Sequence, residues 1–299
     1  MGADITGGTG FLPVQARGST PMTVAAAHAP LAIDTLRRAR ATARIGATIH
    51  YVESVDSTNT LAQRLAANGA PEGTVVIAET QTKGRGRLGR SWTSPPFRNL
   101  YASILLRPPI APAAAPLLAL VAGVATVEAV GDWARAALKW PNDVVIDGRK
   151  VAGILAEMDA GDERVRHVVV GIGVNLNSAP EDFPADLRDK AIGLCTAAGQ
   201  SIDRVVFTDR LLSRLEDAYD CFVRAGFAAL RPAWERHSSL TGCRVQIDSG
   251  SARHTGVVAG LAEDGALLLH DDQGATVRIM VGDVTVVDGY GEARRSADS

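Results

Sequence analysis

The residues KWPNDVVIDGRKVAGILAE, 139–157, carry the clearest local signal for the fold of this chain. Its centre is the pair Asp147 and Gly148, with a β-branched run before it and a second apolar run after it. Asp-Gly supplies the positive φ angles of a type I′ turn, which joins two antiparallel strands with only two residues. The sequence therefore predicts a β-hairpin here, preceded by a turn at Pro-Asn-Asp, residues 141–143.

Regular elements flank this hairpin on both sides. Runs of β-branched or apolar residues predict strands, and apolar residues at helical spacing predict helices. The predicted strands before residue 240 are 49–55, 74–79, 101–107 and 168–176. The predicted helices are a short one at 31–40, one from the N-cap at 56–58 to Gly69, then 117–137, 204–225 and one ending near His237.

After Leu240 the sequence pattern changes to short predicted strands, separated by Ser-Gly, Asp-Gly and Gln-Gly turns. These strands are predicted at 243–247, 255–259, 266–270, 276–280 and 284–287. About five short strands in fifty residues are typical of a small β-barrel of SH3-like size. The layout is therefore mixed α+β, followed by a small all-β domain.

Composition limits the class of protein. The chain has 299 residues, of which 46% are hydrophobic and 21% charged, as in a globular protein. With 31 Lys and Arg against 33 Asp and Glu, the formal net charge is -2. The molecule as a whole therefore has no attraction to nucleic acid or to an anionic membrane. Any basic site must be local.

The longest apolar stretch, 111–130, contains Pro112 and Pro116 near its start and Glu128 near its end. It falls short of the ~20 uninterrupted apolar residues that a membrane span needs, so we predict a buried helix and no membrane partner. The scattered cysteines and the lack of an export signal indicate reduced thiols in a cytoplasmic protein. The six histidines form no pair at metal-ligand spacing, so no metal site is predicted.

Four segments are predicted along the chain. They are a flexible extension at 1–47, a catalytic domain at 48–238, the small β-domain at 239–288 and a polar tail at 289–299. The extension is rich in Gly, Ala, Thr and Pro, and Met22 within it is a second candidate start.

The sharpest chemical signal is QTKGRGRLGRSW, residues 81–92, and its part at 83–90 is called the basic loop. The basic loop holds four cations and three glycines. Glycine lets backbone N–H groups point at an anion, and arginine offers a fork of donors that matches phosphate or carboxylate. The Gly-Lys-Ser/Thr ending of a Walker A loop is missing. An RNA-binding RG loop or a solvated basic turn would explain the same residues.

Three further segments carry weaker signals. In KWPND, 139–143, a semi-buried Lys139 would suit a negative transition state, but it would also suit a plain strand end. In GIGVN, 171–175, two glycines on one strand face admit a flat ligand or mark a β-bulge. In DSTN, 56–59, the hydroxyls face a polar head group or only cap a helix.

The order of these segments is more informative than any one of them. DSTN, then QTKGRGRxGRxW, KWPND, KxAGILxE (150–157) and GIGVN together resemble the biotin–protein ligase family over about residues 49–287. The resemblance implies an α+β fold: a mixed-sheet catalytic domain with helices packed on one face, followed by a small SH3-like β-barrel.

The resemblance implies an ATP-dependent ligase. In such enzymes the biotin carboxylate attacks the α-phosphorus of ATP, pyrophosphate leaves, and biotinyl-5′-adenylate forms. A lysine of a biotin carboxyl carrier domain then attacks this mixed anhydride. ATP with Mg²⁺ is the expected co-substrate, biotin the substrate, and no permanently bound metal is expected. The chemistry is positioning and charge neutralisation, because the nucleophile is already a carboxylate.

The resemblance also implies roles for individual residues. Lys139, Arg85 and Arg87 are the expected catalytic cations. The expected biotin-binding residues are Ser57, Thr58, Asn59, Gln81, Gly84, Arg85, Arg87, Lys139, Gly171 and Gly173. Gly84 is expected to give close backbone approach. Arg90, Trp92 and Asn175 are expected to contact the adenylate, with Trp92 stacking on the adenine.

A glycine-rich loop with four like charges is unfavourable without an anion. We therefore predict that the basic loop is disordered in the empty protein and closes over the ligand as a lid. Bifunctional family members carry an N-terminal helix-turn-helix that represses biotin genes, and the segment before Ile49 is too short for it. We therefore expect a monofunctional ligase without a sequence-specific nucleic-acid partner.

Three rival interpretations remain. A lipoate or octanoyl ligase shares the fold and the acyl-adenylate chemistry, but the basic loop and KWPND argue against it. A nucleic-acid module would need more aromatic residues than the 5% found here. A biotin-dependent repressor would need the N-terminal domain. The sequence leaves a monomer and a homodimer equally open.

Overall fold

The computed structural model describes residues 29–161, 163–250 and 252–289. Its helices are α1 (Ile33–Ala39), α2 (Thr58–Ala67), α3 (Leu117–Val130), α4 (Leu194–Ala198), α5 (Arg204–Ala225) and α6 (Arg231–Arg236). The strands of the large sheet are β1 (Ile49–Val55), β2 (Val75–Gln81), β3 (Leu100–Leu106), β4 (Ala137–Lys139), β5 (Asp143–Ile146), β6 (Arg149–Ala160) and β7 (Val165–Val174). The small sheet contains β8 (Arg244–Asp248), β9 (Arg253–Leu261), β10 (Leu267–His270), β11 (Thr276–Ile279) and β12 (Asp283–Asp288).

The large sheet is mixed, as predicted. Its strand order is β1-β2-β3-β7-β6-β5-β4, with β1 and β2 parallel and every other neighbouring pair antiparallel. The predicted hairpin is confirmed between β5 and β6. Asp147 and Gly148 have φ angles of 48° and 80°, as a type I′ turn requires. This hairpin carries the KWPND turn and the KxAGILxE strand to the same end of the sheet.

Helices cover both faces of the large sheet. Helices α3 and α5 pack on one face, where alternate residues such as Val75 and Ile77 of β2 join the main core. Helix α2 packs on the other face, where Ala62 and Ala66 contact Val76. The prediction of helices on one face is therefore wrong for α2. Consecutive residues of the central strands are apolar, so both of their faces need cover.

Helix α3 is shorter than the predicted 117–137. It ends at Val130, and Ala137–Lys139 forms β4 instead, paired with β5. The helical stretch Pro112–Val130 is long and apolar enough to cross a membrane by length and composition, but 72% of its apolar window is buried inside the protein. The prediction of a buried core helix is confirmed, because a helix that is apolar all round lies inside a core.

The segment before β1 is packed against the domain. Leu36 and Ile45 are fully buried. Arg40, with 5% of its surface exposed, donates to Glu216 Oε2 at 2.7 Å and to Ile45 O at 2.8 Å. The prediction of a flexible extension over 1–47 is wrong for residues 29–47, because the ionic partners of Arg40, Asp209 and Glu216, lie on α5, about 170 residues away. Residues 1–28 lie outside the described part of the chain.

The five short strands form an antiparallel sheet in the order β11-β10-β9-β8-β12, which confirms the small β-domain. This domain packs directly on the KWPND turn, where Trp140 Nε1 donates to Gly265 O at 3.1 Å. Trp140 is 3% exposed. The contact brings the first residues of β12 to the same region as the hairpin. Of the tail predicted at 289–299, residues 290–299 lie outside the described part of the chain.

Candidate functional site

A pocket of about 370 Å³, called the central pocket, opens on the α2 face of the large sheet. It gathers residues from all five segments that carry the family resemblance. Twelve of the thirteen predicted site residues line it: Ser57, Thr58, Asn59, Gln81, Arg85, Arg87, Arg90, Trp92, Lys139, Gly171, Gly173 and Asn175. Gly84 is the exception.

The polar end of the central pocket lies at the start of α2. Gln81 Oε1 accepts from the Thr58 backbone N–H at 2.9 Å and from Thr58 Oγ1 at 3.0 Å. This fixes the carboxamide of Gln81, whose Nε2 donates to Ser94 Oγ at 3.2 Å. Ser57 lies beside them and its side chain makes no cap to α2. The buried hydroxyl of Ser57 is therefore not used by the helix and faces the pocket.

Asn59 is fully engaged by the protein. Its Oδ1 accepts from Ser103 Oγ at 2.6 Å, and its Nδ2 donates to Leu155 O at 3.2 Å and to Glu157 Oε2 at 2.8 Å. Gly171 makes room for this amide, because a Cβ there would lie 2.9 Å from Asn59 Cγ. Asn59 thus braces the wall of the pocket, and its donors are already used.

Trp92 lies flat against the floor of the central pocket. Gly153 and Gly173 are cross-strand neighbours on β6 and β7, and a Cβ on Gly173 would lie 2.6 Å from the indole. The Trp92 Nε1 atom is buried and has no hydrogen-bond partner among the described residues. The absence of side chains at Gly153 and Gly173 therefore makes room for the Trp92 indole. The stacking of Trp92 on an adenine stays a prediction.

Lys150 is a pocket residue that the sequence analysis did not single out. Its Nζ lies 2.6 Å from Asp143 Oδ1 and 5.4 Å from the centre of the Trp92 ring. Asn175 Nδ2 donates to the Lys150 backbone carbonyl at 3.4 Å. The lysine opens the KxAGILxE segment, which was used for the family resemblance only. The tight β5–β6 turn is what brings it to Asp143.

The basic loop forms a small hairpin of its own. Gly86 N donates to Arg90 O at 2.7 Å, and Trp92 N donates to Gly84 O at 2.9 Å. A Cβ on Gly84 would collide with the Trp92 carbonyl oxygen and lie 3.2 Å from Ser94 Oγ. The lack of a side chain at Gly84 is therefore required by the packing of the loop, and its close approach to biotin stays a prediction.

The arginines of the basic loop each meet a partner elsewhere in the chain. Arg85 Nη2 lies 2.8 Å from Glu157 Oε2, and Arg87 Nη1 donates to Asn142 Oδ1 at 3.2 Å. Burial lowers the pKa of the Arg87 guanidinium, and the nearby Asp283 and Asp143 carboxylates oppose this shift. Arg90 forms an ion pair with Asp283 at the start of β12.

The small β-domain therefore contributes to the central pocket, through Asp283 and Val284. The sequence analysis assigned no site residue to this domain, because no motif marks Asp283. Its part in the pocket follows from the packing of Gly265 on Trp140.

The charges around the central pocket are unbalanced. Six cations line it, against two carboxylates, in a chain with a formal net charge of -2. The cations are Arg85, Arg87, Arg90, Lys139, Lys150 and Lys190, and the carboxylates are Asp143 and Asp283. In the described part of the chain no group of three His, Cys, Asp or Glu side chains stands where it would hold a metal ion. The pocket is thus built to bind an anion in contact with an apolar floor.

Comparison with known proteins gives consistent matches. Residues 51–175 match the family described as "Biotin/lipoate A/B protein ligase family", and residues 242–287 match the "Biotin protein ligase C terminal domain". The bifunctional ligase/repressor of Bacillus subtilis is 38% identical over 232 residues, which are 77% of this chain and 71% of that protein. The biotin–[acetyl-CoA-carboxylase] ligase of Paracoccus denitrificans is 36% identical over 230 residues, 74% of this chain and 94% of that protein.

The fold is also found in solved structures. The biotin protein ligase of Aquifex aeolicus in complex with biotin and ATP superposes with a TM-score of 0.69 and 31% sequence identity. The match covers 81% of this chain and 99% of that one.

Proposed function

This chain belongs to the biotin/lipoate A/B protein ligase family and is an ATP-dependent biotin protein ligase, and we propose that its central pocket carries both steps of the reaction. Biotin and ATP with Mg²⁺ are its substrates, and a biotin-dependent carboxylase supplies the acceptor. The observation that carries the proposal is the set of six cations placed over a glycine-lined floor.

We assign the polar end of the pocket to the biotin head group. The fixed Gln81 carboxamide and the free Ser57 hydroxyl lie there, and both suit a small ring that carries donors and acceptors. Asn59 acts indirectly, because its amide holds Glu157 and the sheet. Glu157 in turn forms an ion pair with Arg85 of the basic loop. The head-group site and the loop are therefore connected through Asn59 and Glu157.

In the first step, the biotin carboxylate attacks the α-phosphorus of ATP, the bond from that phosphorus to the bridging oxygen of the β-phosphate breaks, and pyrophosphate leaves. Negative charge is spread over the phosphate oxygens in the transition state. Magnesium bound to the ATP phosphates neutralises part of that charge. Lys139, Lys150 and Arg87 supply fixed positive charge at the same place, without having to reorganise as water would. In the second step, the carrier lysine attacks the anhydride carbonyl and AMP leaves. We place the enzyme in the cytoplasm, where its substrate ATP is available.

The test of this function is biotin-dependent exchange of pyrophosphate into ATP. Wild-type protein should catalyse the exchange with biotin and not with lipoate. Lys139→Ala should lower the exchange rate by about 10²–10³, the usual cost of one charged donor in such a site. Lys83→Ala is the matched control, because Lys83 is exposed on the same loop and does not line the central pocket. Lipoate-dependent exchange would favour the rival ligase, and no biotin-dependent exchange would refute the proposal.

The lid role of the basic loop remains a prediction with its own test. Trypsin should cut the empty protein rapidly within 83–90 and slowly once biotin and ATP are present, because the bound adenylate adds anionic contacts that hold the loop in place. Cutting at the exposed Arg164, on the β6–β7 turn, serves as the internal control and should not change. Equal cutting of the basic loop with and without ligands would contradict the lid.

A further inference from the structure

A second cavity, called the apolar cleft, lies between the catalytic domain and the small β-domain. Its volume is about 310 Å³. One wall is the start of α3 with residues of β6, and the other is formed by residues 264–265 and 280–281 of the small domain. Apart from Arg87, Asn142 and Asp264, the lining is apolar or glycine.

Large apolar side chains are exposed along this cleft. Met158 is 49% exposed, Met280 53% and Val281 51%, and all three line the cleft. Contiguous exposed apolar surface that is rimmed by polar groups marks a place where another molecule binds. Methionine suits such a surface because its flexible thioether adapts to the side chain that it meets.

The apolar cleft is continuous with the central pocket. The two cavities share part of their lining, including Arg87 of the basic loop and the turn at Pro141 and Asn142. Arg87 and Asn142, which line both cavities, are hydrogen-bonded to each other, with Arg87 Nη1 donating to Asn142 Oδ1 at 3.2 Å. Anything seated in the cleft therefore lies next to the cations that hold the adenylate.

The second step of the reaction requires a molecule at this position. A lysine side chain reaches only about 6 Å beyond its own backbone, so the surface of the carrier domain must touch the rim of the central pocket. Much of the rest of that rim is the charged basic loop, which is predicted to close on the adenylate. From this continuity we infer that the apolar cleft is the docking surface for the acceptor protein, and that it receives apolar side chains next to the acceptor lysine. The inference rests on the proposed function.

The two half-reactions separate this inference from the function itself. Met158→Asp and Met280→Asp place a carboxylate on opposite walls of the cleft, and neither residue lines the central pocket. Each should leave biotin-dependent pyrophosphate exchange within about twofold of wild type and lower kcat/KM for the acceptor protein at least tenfold, since a carboxylate facing an apolar side chain is left desolvated. The acceptor used is the isolated biotin carboxyl carrier domain from the same source.

The matched control is Val206→Asp, because Val206 is 53% exposed on α5 and lines neither cavity. It should leave both half-reactions unchanged. If Met280→Asp also lost exchange, Met280→Ala would replace it, and a selective fall in acceptor transfer would still be required.

Normal exchange with unchanged transfer in both Asp variants overturns the docking inference. So does sedimentation that shows the variants breaking a dimer while transfer is unaffected, because the cleft would then bind a second copy. Wild-type protein without exchange would instead be the failure of the proposed function.

Discussion

Replacing Lys150 with methionine is expected to lower kcat for biotin-dependent exchange by about 10²–10³. The ammonium lies inside the central pocket, 2.6 Å from Asp143 Oδ1 and against the Trp92 ring. Methionine keeps the aliphatic length and removes only the charge. The loss should therefore appear in kcat, since the charge counts most where phosphate charge develops in the transition state.

The folded state should tolerate this change. Side-chain exposures of 32% for Lys150 and 27% for Asp143 mean that solvent screens the pair, and such pairs contribute little to stability. The thermal midpoint should stay close to that of the wild type, and Lys83→Ala again controls for the loss of a loop cation. Full exchange activity in Lys150→Met, together with an inactive Lys139→Ala, would mean that Lys139 acts alone.

Replacing Gly171 with alanine is expected to damage both stability and biotin binding. The new methyl group would lie 2.9 Å from Asn59 Cγ, and Asn59 cannot yield without losing its bonds to Ser103 and Glu157. Overpacking of this kind typically costs about 1–3 kcal/mol. The KM for biotin should rise at least tenfold, because Asn59 braces the pocket wall and, through Glu157, the basic loop.

Thermal unfolding and the biotin dependence of exchange check this expectation. Gly161→Ala is the matched control, because a Cβ at Gly161 meets nothing nearer than 3.7 Å and its φ angle is not in the left-handed region. The double variant Gly171→Ala/Asn59→Ala should be no less stable than Asn59→Ala alone, since the clash has gone. If the losses of stability from Gly171→Ala and Asn59→Ala were additive in the double variant, the new methyl group would be acting through a residue other than Asn59.

Local pattern predicted most of the elements. The φ angles of Asp147 and Gly148 and the bounds of β1 and α5 agree with the sequence, because turn chemistry and apolar periodicity are local properties. The errors came where tertiary contacts decide. Arg40 is held by partners on α5, and Ala137 leaves the helical pattern because it can pair with Val145 of β5.

The candidate site divides in the same way. Twelve of the predicted site residues line one pocket, because each motif sits where an element begins or ends. The role of a residue within that pocket depended on its neighbours. Gly84 serves the loop, Gly171 serves Asn59, and Lys150 was overlooked until the β5–β6 turn placed it beside Asp143.

The family, the anion-binding chemistry and the hairpin that organises the site could therefore all be predicted from the order of the residues. These three features depend on residue types and on short spacings along the chain, which can be read before the fold is known. The tertiary structure alone decided that α2 covers the second face of the sheet, that Asp283 of the small domain meets Arg90, and that an apolar cleft adjoins the pocket. Such contacts join residues far apart in the chain, and only packing selects which distant surfaces meet.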